Sequence, residues 1–101
     1  MSFFQDLFSK PYPSDKAPEV QKHIDELIKI GKSDDFLTER YQAGFNSQHR
    51  NVRARQIGQR LDEIGGLTLM EYVQRQVKRK TSKALGEHLE YCWDGVGKWK
   101  A

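Results

Sequence analysis

The sequence predicts an all-α protein, a small single-domain bundle of four to five helices, and three observations carry that expectation. Apolar residues recur at spacings of three and four along most of the chain, which is the period of one helix face. No alternating run of convincing strand length occurs, and no repeat at a solenoid period. With 101 residues and 37% hydrophobic content there is material for one modest core and none for a second. A mean hydropathy of -0.82 leaves the surface strongly polar.

Residues 1–10 place Phe3, Phe4, Leu7 and Phe8 on one face of a short amphipathic helix. Residues 11–17 read as an extended connector, because Pro11 and Pro13 fix their own φ and push their predecessors out of the helical region. The bundle is expected over residues 18–93. Its first helix starts at Pro18, carries Val20, Ile24, Leu27 and Ile28 on one stripe, and is expected to end at Gly31. Ser33, Asp34 and Asp35 then offer caps for a second helix bearing Phe36, Leu37, Tyr41 and Phe45, closing near Gly44.

A third helix is predicted from Asn46 or Ser47 to Gly65-Gly66, on the stripe of Ala54, Ile57, Leu61 and Ile64. Gly58 borders that stripe. Glycine there lowers helix propensity by about 1 kcal/mol against Ala, and close approach of a neighbouring element is the usual compensation. Thr68 with Glu71 reads as a capping box, and Leu67 with Tyr72 as its hydrophobic staple, so the next helix is expected to start there. Met70, Val73 and Val77 continue it. The apolar register persists into Leu85, Leu89 and Cys92, yet Thr81 or Ser82 could cap a new helix, and a break at Lys80-Thr81-Ser82 is the favoured reading. Gly95 is a natural left-handed stop, and residues 94–101 form a Gly/Trp tail with Trp99 folding back. The expected core includes Ile24, Leu27, Leu37, Tyr41, Ile57, Leu61, Ile64, Met70, Val73, Val77, Leu85, Leu89 and Trp93.

Cys92 is the single cysteine, no apolar run reaches the roughly 18 to 20 residues of a membrane span, and the first residues lack a signal-peptide pattern. A cytoplasmic setting without membrane contact is the expectation.

The formal charge of +3 is an average over unlike parts. Residues 15–39 hold seven acids and four bases, net -3, whereas residues 40–86 hold ten bases and three acids, net +7. Arg75 and Arg79, one turn apart, with Lys78 and Lys83 beside them, lie opposite the stripe of Met70, Val73 and Val77; Arg53 and Arg60 border the preceding stripe. These six residues form a candidate ridge for phosphate or a partner, set against the plainer reading of a solvated helix face.

No catalytic constellation accompanies the ridge. His88 and Cys92 share a helix face, but two ligands make no metal site, and neither C-x-x-C nor H-E-x-x-H occurs. A helix-turn-helix centred on Gly65 or Gly66 fails, because Leu61 or Asp62 falls where a small residue is needed. Gly95-Val96-Gly97-Lys98 departs from a phosphate loop at Cys92 and Trp99. The sequence therefore implies no enzyme, cofactor, metal or small-molecule ligand. It favours a non-catalytic protein-interaction or adaptor domain binding another protein or itself, with Phe3, Phe4, Leu7 and Phe8 as a candidate docking segment. The alternative is a nucleic-acid-associated protein using the basic helical ridge.

Overall fold

The computed structural model describes residues 10–34, 36 and 45–101, with the side chains of residues 34 and 45–50 left aside. The described residues are all helical or irregular, with no strand. A 3-10 turn at Ser14–Lys16 leads into α1 (Ala17–Asp34), followed by α2 (Phe45–Lys80) and α3 (Lys83–Cys92). Among the described residues three α-helices stand, where four to five were expected for the whole chain. The expected helix over residues 1–10 and most of the one ending near Gly44 lie outside the described residues. The helices expected on either side of Gly65-Gly66 meet at a kink inside α2, where Gly66 has non-helical backbone.

That bend is at Gly66, whose φ of 66° and ψ of -160° are closed to an ordinary side chain. The capping-box expectation is therefore corrected. The non-helical residue inside α2 is Gly66, two positions before Thr68, so Thr68 already has helical backbone and is not an N-cap. Leu67 and Tyr72, the expected staple, are partly buried against the core. The Pro-containing connector lies on this bend: the Pro11 carbonyl occupies the space a Cβ on Gly65 would need, and the Tyr12 and Tyr72 rings sit 6.0 Å apart.

Gly31 does not stop α1, which runs on to Asp34. Glycine is needed there for space: a Cβ would lie 2.9 Å from Cζ of Phe36, whose ring is fully buried. The break before α3 is as expected. Ser82 has extended backbone and its Oγ accepts a hydrogen bond from the Leu85 amide at 3.1 Å.

α2 packs against both α1 and α3. Val20, Ile24 and Leu27 of α1 meet Ile57, Leu61, Met70, Val73 and Val77 of α2 in one core with Leu89 and Trp93. Of the expected core residues, Ile64 and Leu85 are only partly buried, and Leu37 and Tyr41 lie outside the described residues.

Trp93, just past α3, is the largest fully buried side chain. Its indole rests on Gly58, where an added Cβ would stand 2.5 Å from Nε1, and that N–H donates to the Ala54 carbonyl at 2.9 Å. Gly58→Ala normally favours a helix. Here it should destabilise the protein by about 1–3 kcal/mol through overpacking, lowering the melting temperature by several degrees. A melting temperature equal to or above that of the parent protein would contradict this packing.

Candidate functional site

The structure separates the six residues of the candidate ridge into two groups. Arg53 Nε and Nη2 donate to the two carboxylate oxygens of Glu26 at 2.7 and 2.9 Å. Arg60 Nε and Nη2 do the same to Glu19 at 2.6 and 3.1 Å, and Arg60 Nη1 reaches Glu63 at 3.3 Å. Both arginines therefore clamp α1 onto α2 as planar, two-pronged pairs. They are corrected out of the ridge, since each already holds its carboxylate.

A signal for this pairing was present in the sequence. Glu19 and Glu26 are seven residues apart on α1, and Arg53 and Arg60 are seven apart on α2. Two helical turns separate the members of each set, so antiparallel helices bring Glu19 to Arg60 and Glu26 to Arg53 together.

The hydrogen bond from Arg60, aided by that from His23, holds the Glu19 carboxyl down at about 2 from an ordinary 4.5. Arg53 likewise lowers Glu26. His23 Nε2 lies 3.2 Å from Glu19 Oε2, while its buried Nδ1 has no hydrogen-bond partner among the described residues.

The other four ridge residues, Arg75, Lys78, Arg79 and Lys83, are exposed, as are Lys80, Lys98 and Lys100. None of these seven forms an ion pair among the described residues. The Lys78 stem crosses Gly86 of α3, where a Cβ would lie 2.6 Å from its own Cβ, so the ridge abuts α3. Arg75 lines a cleft of about 510 Å3 together with Lys98, Trp99 and Lys100. Local spacing does not bring the tail lysines to Arg75, because their approach depends on the tail's return.

That return is fixed by several contacts. Gly95 and Gly97 have φ of 87° and 56°, and the Gly95 amide donates to the Trp99 carbonyl at 2.9 Å. Trp99 Nε1 donates to the Glu90 carbonyl at 2.9 Å, and its ring meets Trp93 edge-on at 5.2 Å. Arg55 Nη1 donates to the Cys92 and Asp94 carbonyls at 2.7 and 2.9 Å, closing the C-terminal end of α3. Gln74, buried in α2, donates through Nε2 to the Gly86 carbonyl at 3.0 Å and to Glu90 Oε2 at 3.3 Å.

Cys92 is buried, and Asn51 Nδ2 approaches its sulfur at 3.5 Å while donating to the Phe36 carbonyl at 2.6 Å. No group of three or more His, Cys, Asp or Glu among the described residues is placed to hold a metal ion. Phe3, Phe4, Leu7 and Phe8 lie outside the described residues. No helix of the described residues is long and apolar enough to cross a membrane. No protein family model, curated protein or solved structure matches the chain.

The lowered Glu19 carboxyl has a measurable consequence. A carboxyl whose folded value lies below its unfolded one stabilises the fold fully above about 4.5, and that stabilisation is lost as pH falls toward about 2. Thermal melts across this range should therefore show a loss of stability that is shallower in Glu19→Gln. An acid limb identical in the two proteins would show that the Glu19–Arg60 pair does not form in solution.

Proposed function

We propose that this protein is a non-catalytic, nucleic-acid-associated domain that contacts phosphates through the basic end formed by α2, α3 and the tail. The supporting observation is the contrast between the two arginine groups. Arg53 and Arg60 carry carboxylate partners, whereas the exposed cations of residues 75–100 carry none among the described residues.

Helix stability accounts for only part of that charge. Lys78, Arg79 and Lys80 occupy the last turn of α2, where cations complement the helix dipole. Lys83 opens α3, where the dipole opposes a cation, and Lys98 and Lys100 lie beyond the helices. An acidic polymer satisfies all of them at once.

The protein-interaction reading, with self-association as one form, is supported by the apolar pattern of Phe3, Phe4, Leu7 and Phe8. It takes second place because, among the described residues, the large exposed hydrophobics are only Val52 and Tyr91, on different helices. Lone Cys92 supports a reducing, cytoplasmic setting for either role.

Fluorescence anisotropy with a labelled single-stranded oligonucleotide, titrated between 50 and 200 mM salt, tests the proposal. Arg75→Glu with Arg79→Glu should weaken binding about ten-fold or more and flatten the log–log salt slope by about 1.4, for two lost phosphate contacts. Arg53→Ala with Arg60→Ala should lower the melting temperature and leave that slope unchanged. No binding at low salt, or a slope indifferent to the charge reversal, would overturn the proposal.

A further inference from the structure

The cleft beside Arg75 has a lining unsuited to a simple phosphate pocket. Arg75, Lys98 and Lys100 are exposed at its walls, but Glu71 and Glu90 line it too. A phosphate seated among those carboxylates would be repelled, so the cleft suits a ligand that is anionic at its edge and a hydrogen-bond donor at its centre.

Glu90 is held for such a contact. Gln74 Nε2, itself anchored on the Gly86 carbonyl, reaches Glu90 Oε2 at 3.3 Å, and the Glu90 backbone carbonyl accepts the Trp99 indole N–H at 2.9 Å. Gln74 and Trp99 are both buried, so the wall bearing Glu90 is tied on two sides. An ionised carboxylate is acceptor-only, with four lone-pair sites across two oxygens, and the contact to Gln74 leaves most of them available.

Guanine presents two adjacent donors, N1–H and N2–H, on its Watson–Crick edge, spaced to match two carboxylate oxygens. The other bases place an acceptor beside each donor on that edge. In a duplex this edge is already paired with cytosine, so only an unpaired guanine can offer it.

We propose, resting on the nucleic-acid reading above, that this cleft takes one unpaired guanine of a single strand. The base donates through N1–H and N2–H to the Glu90 carboxylate, and its flanking phosphates lie on Arg75, Lys98 and Lys100. The cleft's volume of about 510 Å3 is in the size range of small-ligand sites.

The test compares three labelled probes by fluorescence anisotropy at fixed salt: oligo(dT) of about twelve nucleotides, the same strand with one central guanine, and a duplex of equal length. The guanine strand should bind roughly five-fold or more tightly than oligo(dT), and more tightly than the duplex. Glu90→Gln, with its melting temperature checked against the parent protein, should abolish the guanine preference. Equal affinity for all three probes, still weakened by Arg75→Glu with Arg79→Glu, would overturn this inference and leave the nucleic-acid proposal standing. Failure of every probe to bind at low salt would overturn both. The comparison between probes uses the unaltered protein, so the result does not depend on any variant folding.

Discussion

The seat of Trp93 on Gly58 is the contact on which the arrangement of this molecule depends. Glycine gives the indole a flat approach to the α2 backbone, and the indole N–H finds its acceptor in the Ala54 carbonyl. A buried indole needs such an acceptor, because an unmade hydrogen bond in an apolar setting costs about 1–3 kcal/mol. The contact joins the end of α3 to the first half of α2, while Gln74 joins α3 to the second half. With the end of α3 fixed, Trp99 packs edge-on against Trp93, and the tail turns back through its two left-handed glycines. Lys98 and Lys100 thereby line the same cleft as Arg75. The position of the two tail lysines is a consequence of core packing.

Electrostatics treats the arginines of α2 in two ways. The acidic α1 meets Arg53 and Arg60 of α2 in two bidentate pairs, and their shared seven-residue spacing sets the antiparallel register. Such partly exposed pairs add little net stability. Their larger effect is on where charge is left over: the acids of α1 screen the first half of α2, and the cations of its last turns face solvent. The net charge of +3 averages an acidic stretch over residues 15–39 and a basic one over residues 40–86.

Much of the fold was legible because it follows local rules. The stripes of Ile24, Leu27, Ile57, Leu61, Val73 and Val77 are buried as their spacing implies, Ser82 caps α3, and Trp99 folds back. The misreadings have a common cause. Gly31 resembles a helix stop until the Phe36 ring is placed against it, and the Thr68 and Glu71 pattern resembles a helix start until the bend is seen at Gly66. Each is a local signal overruled by a contact or a backbone turn that local spacing does not encode. The site was less legible still. Arg55, Gln74 and Asn51 act through partners far along the chain, at Cys92, Gly86 and Phe36, and nothing in their neighbourhoods marks them. The clamp formed by Arg53 and Arg60 was readable in principle, by matching the spacing of two arginines to that of two glutamates.

Whether the Trp93 seat organises α3 and the tail is tested most directly by hydrogen exchange at the Trp93 indole N–H, followed by NMR. If the indole is locked between Gly58 and the Ala54 carbonyl, its proton exchanges only through global unfolding, as slowly as the most protected amides of α2. Exchange at the rate of exposed tail amides would show that the seat opens independently of the core, and would contradict the account.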